Sequence, residues 1–538
     1  MTAGQVLLVL TLAVPAAGAV LVALLPARLD RAARIAGTGA AALTFVAAAL
    51  LYADKGLGWF TVDPDPVGPP PVLPWHEVNI GWAPGLDLAF HIGVDGISYP
   101  LVVLTALLTL LCCGYTVWHV PRPGGDAGDA PETGTAEGEE RACEPRSPGS
   151  AGTAPGRALV ALLLVIEVGI LGTFLALDLV LFFVFFEVVL LPMYAVIAVW
   201  GGARRRHAAR KFVLYTLLGS VLLLVGVFTV VAAAGTADIV ALTGDAGGLP
   251  RTVQLAAFTL FAIAFAVKAP LWPLHTWLPD AHTEAPTVGS VVLAGVLLKM
   301  GTYGLIRIGV GVTPEGAAWA APVLATLAVA AILVGALVCL AQTELKRLIA
   351  YSSVGHMGFV LLGIATLTAA GIQAALIGNI AHGLITGLLF FLAGAIKDRA
   401  HTGDLTRLGG LRETAPVLAG ILGFAAIASL GLPGLAGFWG EAFAVVAAVQ
   451  RGGPLWLTLG VLAAIGGALT AAYFLRLLRR VTHGPAAASL AAPPRLAGAE
   501  LAAWAPLVVL TVAVGLLPVL VLGVAELPVS ALAELVSR

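Results

Sequence analysis

Four ionisable side chains interrupt long apolar runs: Glu187 in LVLFFVFFEVVLLPMY, Lys268 in FAIAFAVKAPLWPLHTWLPDAHTEAPT, Lys299 in VLAGVLLKMGTYGLI and Glu441 in SLGLPGLAGFWGEAF. A charge at such a position faces a partner, a water-filled cavity or a transport path, because hydrocarbon offers it nothing. Two acids and two bases suit proton transfer. A buried lysine holds its proton loosely, and an approaching carboxylate tightens that hold, so a pair that opens and closes is a switch. Sodium asks instead for converging oxygen ligands, and resident lysines oppose a cation. The residue types therefore favour protons. The bland alternative for each is a carboxylate paired across helices or a lysine reaching the membrane surface.

Two histidines, His356 in YSSVGHMGF and His382 in GNIAHGLITGLLFF, titrate near neutral pH and could relay protons between the charged sites, or could be hydrogen-bonded core residues. Glu167 in LLLVIEVGILG reads equally as a second carboxylate on the route or as a neutral packing residue. Tyr351, Ser352 and Ser353 could hold waters, and Lys346 could feed protons inward or mark a cytoplasmic helix end. His275, Asp280, His282 and Glu284 have the element types of a metal site but match no familiar ligand spacing. Three prolines distort the segment, which reads as a loop gating or lining an inlet. The basic run from Arg204 to Lys211 reads as a solvated surface facing anionic lipid, with no nucleic-acid role.

What must position these residues is a membrane bundle. Of 538 residues, 59% are hydrophobic and 11% charged, less than half the charged share of an ordinary soluble domain. Fourteen stretches are apolar over the length needed to cross about 30 Å of hydrocarbon. They fall at 6–25, 32–51, 97–118, 159–177, 178–200, 212–234, 253–277, 287–308, 319–340, 345–367, 371–396, 415–449, 455–478 and 502–521. The first lacks a basic leader and runs at once into the second, so it reads as a retained helix. Prolines break the seventh span after Lys268, and glycines with Pro433 break the twelfth before Glu441. Ion sites favour such breaks.

Most of the 29 lysines and arginines fall in the odd-numbered connections, which places those connections in the cytoplasm and both termini outside. The expected organisation is residues 1–120 as three N-terminal spans with an external loop at 54–94, then a low-complexity cytoplasmic insertion at 121–157. Two five-span units follow at 158–310 and 317–480, and 481–538 hold a cytoplasmic connection and the last span. Each unit has a broken helix in its fourth position. An odd number of spans per unit makes the two inverted copies of one another. The four cysteines form no CxxC pair, and no dinucleotide or phosphate-loop fingerprint is present, so no NADH, flavin, ATP or metal binding is expected of this chain.

The stretches FFEVVLLPMY, VKAPLWPLHTWLPDAHTEAPT, LLKMGTYGLIR, TELKRLIAYSSVGHMGF and GLPGLAGFWGE resemble the antiporter-like membrane subunits of respiratory complex I, in their subunit-M branch. The resemblance runs from about Val160 to Phe443. It implies an all-α polytopic fold of about fourteen transmembrane helices with two inverted five-helix repeats. It also implies proton translocation in the bacterial inner membrane, driven by quinone reduction elsewhere. NADH, FMN, iron–sulfur clusters and quinone would then belong to partner subunits, and L-type and N-type subunits would flank the chain. Glu187 and Lys268 resemble the family's acid–base pair, Lys299 its central lysine, His356 and His382 its connecting histidines, and Glu441 its terminal acid. Related subunits usually carry lysine at that last position, and the acid speaks against the runner-up, a subunit of a multisubunit cation/proton antiporter. A structural scaffold is the remaining alternative. The 121–157 insertion is longer than the family leads one to expect.

Overall fold

The computed structural model describes residues 1–52, 72–83, 88–121, 155–244, 248–485 and 496–537. Most of the 54–94 loop's first half and nearly all of the 121–157 insertion therefore lie outside the described residues. Among those described, fourteen helices are long and apolar enough to cross a membrane. That set takes in the last helix of the chain and leaves out the divided twelfth span. In chain order the helices begin with α1 (Ala3–Leu24), α2 (Asp30–Leu50), α3 (Tyr99–Trp118), α4 (Pro155–Leu175), α5 (Leu179–Trp200) and α6 (Arg205–Ala234). The seventh span is two helices, α7 (Arg251–Lys268) and α8 (Trp277–Glu284). Then come α9 (Thr287–Val310), α10 (Pro314–Ala341), α11 (Leu345–Ala365) and α12 (Ala369–Ala400). The twelfth span is also split, into α13 (Pro416–Ala428) and α14 (Ala436–Arg451). The chain closes with α15 (Gly453–Thr482), α16 (Gly498–Leu516) and α17 (Val519–Ser537).

Two features depart from the sequence reading. The 54–94 loop contains an antiparallel hairpin, β1 (His76–Ala83) and β2 (Leu88–Val94), in a chain otherwise read as wholly helical. It is stitched to the α4–α5 connection, where Leu177 N donates to His91 O at 2.9 Å. Second, the last span ends at Leu516 rather than near 521, and a further helix, α17, follows. Val524 in α17 lies against Gly96, just before α3, and Leu532, two turns on, lies against Gly311, just after α9. Those two glycines flank spans at the same membrane face, so α17 runs across that face. The apolar character common to α16 and α17 is what merged them into one span and a tail.

Burial ranks the helices. The apolar core of α9 is wholly covered by protein and that of α12 is 94% buried, whereas α1, α2, α6, α15 and α16 are at most about two-fifths buried. Lys299 and His382 thus sit on the two most buried helices, with His356 on α11, 83% buried, whereas Glu187 lies on α5, only 39% buried. Helix ends are set by local chemistry. Asp178 caps α5, accepting from Val180 N and Leu181 N at 2.8 and 2.9 Å, and Glu344 caps α11, accepting from Arg347 N at 2.5 Å. Each cap also belongs to a two-residue bridge. Leu179 N donates to Ala237 O and Ile239 N to Leu177 O; Leu345 N donates to Gly403 O and Leu405 N to Thr343 O. The second set repeats the first at one constant interval along the chain. Five spans separate them, so they lie on opposite faces.

Candidate proton path

The break between α7 and α8 leaves carbonyls that α7 cannot satisfy. One is answered by Trp277, whose Nε1 donates to Val267 O at 3.0 Å. This holds the helix end that carries Lys268, which is 2% exposed. Its ammonium lies 4.6 Å from the centre of the Phe186 ring, a cation–π contact. Glu187, the next residue in α5, is the acid that acts on Lys268 electrostatically, yet the two form no direct ion pair. Glu187 instead accepts a short hydrogen bond from Ser220 Oγ of α6. The expected acid–base pair is brought to neighbouring helices in an open arrangement.

Lys299 comes next. The close approach of α9 to α7 requires glycine: a Cβ at Gly301 would stand 2.8 Å from both Ala269 N and Phe265 O. This puts the two lysine-bearing backbones side by side. Around Lys299 the helix is irregular, with π-helical turns at Leu293–Leu297 and Leu305–Val310. Such turns recur at functional sites because they free carbonyls from the ladder. Ala294 O accepts a short bond from Lys299 Nζ, which also lies 2.7 Å from His382 Nδ1 of α12. Thr302 Oγ1 donates to Asn379 Oδ1 at 3.0 Å, tying the same two helices one turn further on.

From His382 the row continues. Its ring lies 5.9 Å, centre to centre, from that of His356 on α11, and His356 Nδ1 is 2.6 Å from Glu441 Oε1 on α14. Both rings keep a buried Nε2 with no partner. Between them is a cavity of about 20 Å³ lined by His356, His382, Thr386, Ser429 and Glu441. That is room for a water, in a site polar enough to keep one. Gly431, at φ 67°, turns the chain at the twelfth-span break, and a Cβ there would come within 3.1 Å of Glu441 Oε2.

Other candidates fall outside this row. Glu167 is fully buried on α4 with neither oxygen bonded. Lys346 is buried and donates to Ala285 O at 3.0 Å. Asp280 pairs with Lys211 at 2.7 Å, and Glu284 Oε2 accepts from Arg204 N at 2.8 Å. The basic run is therefore partly a clamp on α8 rather than a purely solvated surface. Ser220, Phe186, Thr302 and Asn379 carried no sequence signal, since a hydroxyl, amide or aromatic inside a span is unremarkable. Arg307, which the sequence reading did not single out, is 2% exposed inside α9 and bonds Asp95 at 2.5 Å. Its spacing from Lys299, two turns along one helix face, was the available clue.

The fold is that of a polytopic membrane bundle with two broken helices and buried lysine, histidine and glutamate side chains. The chain belongs to the family described as NADH:quinone oxidoreductase/Mrp antiporter, transmembrane region, whose pattern matches residues 176–466. It is 41% identical to NADH-quinone oxidoreductase subunit M of Rhodobacter capsulatus over 452 residues, 82% of this chain and 81% of that one. It is 40% identical to NAD(P)H-quinone oxidoreductase chain 4 1 of Synechococcus over 408 residues, 75% of this chain and 71% of its relative. Among solved structures, a chain of respiratory complex I from Thermus thermophilus superposes with a TM-score of 0.81 at 30% identity, covering 98% of this chain and 99% of that one. A chain of the Mrp complex from Dietzia shares the fold, at TM-score 0.77 and 23% identity, covering 99% of this chain and 98% of that one.

Proposed function

We propose that this chain is a proton-translocating membrane subunit of an NADH-quinone oxidoreductase, of the subunit-M kind. Its own residues move protons, while NADH oxidation and quinone reduction, with their FMN and iron–sulfur centres, take place in partner subunits. The observation that carries the reading is the row Lys299–His382–His356–Glu441, whose one gap, between the two rings, is flanked by an unpartnered nitrogen on each. In the tautomers this network selects, Lys299 gives a proton to His382 Nδ1. His382 releases one from Nε2, through the cavity water, to Nε2 of His356. His356 passes its Nδ1 proton to the Glu441 carboxylate. Each ring then carries its proton on the other nitrogen and must reset before the next cycle, which makes the transfer stepwise.

Glu187 and Lys268 form the other end of the row, and their open arrangement is one state of the switch. Glu187 and Glu441 sit at flanks where apolar side chains are exposed: Val184 and Leu191 near the first, Phe443 and Val446 near the second. Those flanks suit N-type and L-type neighbours. We place the chain in the bacterial inner membrane with the basic connections inside and both termini outside, and read spans four to eight and nine to thirteen as inverted repeats. The two matching bridges on opposite faces support that reading.

The test is Lys299→Met in the intact complex. Redox-driven acidification in inverted membrane vesicles falls by about tenfold or more, with subunit content unchanged. Normal acidification would leave the chain a scaffold. Co-purification with small antiporter subunits, without quinone-reductase partners, would select the antiporter reading.

A further inference from the structure

Lys299 has a second polar direction that the row does not use. α9 begins beside Ala285, whose carbonyl accepts from Lys346 at the face bearing the basic connections, so beyond Lys299 the helix runs toward the opposite face. Polar groups continue along that run. Thr302 Oγ1 donates to Asn379 Oδ1, and Asn379 Nδ2 is buried and finds no partner among the described residues. An idle buried donor is a place for a water. Next, the Tyr303 hydroxyl donates to Phe174 O at 2.9 Å and accepts from Arg307 Nε at 3.2 Å. Arg307 itself lies within the π-helical turn Leu305–Val310, where carbonyls are loosened from the ladder. From Lys299 to Arg307 is eight residues of helix, roughly 12 Å. A hydrated thread of that length would let protons run back to Lys299 from the opposite face.

An ion pair stands in the thread. Arg307 Nη2 lies 2.5 Å from Asp95 Oδ2, and both side chains are at most 3% exposed. The other oxygen of Asp95, Oδ1, accepts from Ile97 N at 3.1 Å and Ser98 N at 2.9 Å. On the far side Gly96 packs against Val524 of α17, which crosses that face. The charged and titratable groups that act on Arg307 are Asp95 and Tyr303. A guanidinium has donors only and keeps its proton at every physiological pH, so it cannot take a proton and hand it on. Both oxygens of Asp95 are already engaged. A hydrogen-bonded proton chain ends here. Fastening α3 to α9 does not by itself call for charge, since well-packed apolar side chains commonly serve as well as a buried ion pair.

We infer that the Arg307–Asp95 pair is a seal that keeps Lys299 from exchanging protons with the face opposite the basic connections. The inference rests on the proton-translocating reading above and adds a barrier to it. With the seal in place, a proton on Lys299 leaves along the row toward Glu441. Removing the arginine alone converts the seal into a relay: Asp95 stays buried without its counter-charge, takes up protons and draws in water.

The experiment uses the intact complex in inverted vesicles and compares Arg307→Met, the double variant Asp95→Asn with Arg307→Met, and Lys299→Met. A proton gradient is imposed by an acid pulse without NADH, and its decay is followed. Protons moved per NADH oxidised are then measured on the same vesicles. Arg307→Met should lose the gradient several-fold faster than the unaltered complex and move fewer protons per NADH, while NADH oxidation continues. The double variant leaves no carboxylate or guanidinium at the site and should hold the gradient nearly as well as the unaltered complex. A purely structural role predicts the reverse, because losing both partners disturbs the packing at least as much as losing one. Decay in the double variant as fast as in Arg307→Met, or an unaltered gradient in Arg307→Met, overturns the seal. If Lys299→Met pumps normally, the underlying reading fails instead. Where Arg307→Met does not assemble, Arg307→Lys decides. A lysine keeps the charge beside Asp95 but can release its proton, so decay should quicken from about pH 7 to about pH 9 relative to the unaltered complex. Decay that matches the unaltered complex across that range overturns the seal.

Discussion

The two broken spans, the seventh in the first half of the bundle and the twelfth in the second, carry opposite charges at their breaks. In the first, the helix break follows a lysine, and Lys268 ends α7 against the face of Phe186, with its acid one residue along and not in contact. In the second, the break precedes an acid, and Glu441 bonds His356 directly at 2.6 Å. One half therefore holds its charge loosely, by an aromatic face and a carboxylate with which it forms no ion pair, and the other holds it tightly. A loosely held charge changes its proton affinity when its neighbours shift by little. A tightly held one needs the contact broken. On the proton-translocating reading proposed above, the switch falls in the first half and the acceptor in the second.

The sharpest way to break this comparison is to exchange the charges. Lys268→Met removes the switch, and redox-driven acidification falls by about tenfold or more. Glu441→Lys should be milder than Glu441→Ala, because an ammonium there can donate to His356 Nδ1 as Lys299 does to His382. Acidification rates in vesicles of the three variants rank the effects. Equal losses in Glu441→Lys and Glu441→Ala would show that a carboxylate, rather than any protonatable group beside His356, is required.

The parts of this design visible from sequence are those where hydrocarbon leaves no cheap explanation. Lys299 amid VLAGVLL and MGTYGLI could be singled out because a lysine there needs a reason. The breaks were visible because proline and clustered glycine cannot continue a helix. Pairing was hidden wherever it depends on distant chain. Asp95 meets Arg307 across 212 residues, and nothing local to LIRIGV announces it. Ser220 on Glu187 is the same case, since a serine one helix away can satisfy an acid as well as a lysine can. His282 was visible as a residue but read as part of a loop, because its burial depends on how α8 turns after the break. The hairpin was masked by a proline- and tryptophan-rich loop that shows no clean alternation.

The two breaks also differ in what holds their helices close, and glycine substitutions separate them. Gly301→Ala drives a methyl group into backbone atoms of α7, which cannot yield locally; overpacking of this kind costs roughly 1–3 kcal/mol. Thermal melting of the purified complex should drop, and transport with it, because Lys268 and Lys299 move apart. Gly431→Ala meets mainly the flexible end of Glu441 and a left-handed backbone, for roughly 1–2 kcal/mol. Transport should suffer there more than melting does. The reverse order would mean that the first break is the more pliable.

The smallest effect concerns the two matching bridges. In the second half Asp404 Oδ1 accepts from Thr406, a neighbour two residues away. In the first half Asp238 Oδ2 lies 2.8 Å from His91 Nδ1 of the hairpin, whose other nitrogen is 3.4 Å from Glu77. Burial works against charge on His91, yet the hydrogen bonds and negative charges of Asp238 and Glu77 override it and raise its pKa above the usual 6.5. Burial likewise opposes the charge on Asp238, but the bond to His91 and the backbone amides of Ala241 and Val240 lower its pKa overall. A histidine raised by folding contributes stability that is whole below 6.5 and fades as pH climbs through its folded value. A lowered aspartate contributes above the ordinary carboxylate range and loses it on acidification. The latch is therefore strongest at mildly acidic pH and weakens on the alkaline side. Hydrogen exchange of amides 76–83 and 88–94, corrected for intrinsic rates, should speed up several-fold from about pH 6 to pH 9. His91→Gln should flatten that slope while leaving the amides around Asp404 unchanged. A slope that survives the substitution would move the pH sensitivity off the hairpin and remove this difference between the halves.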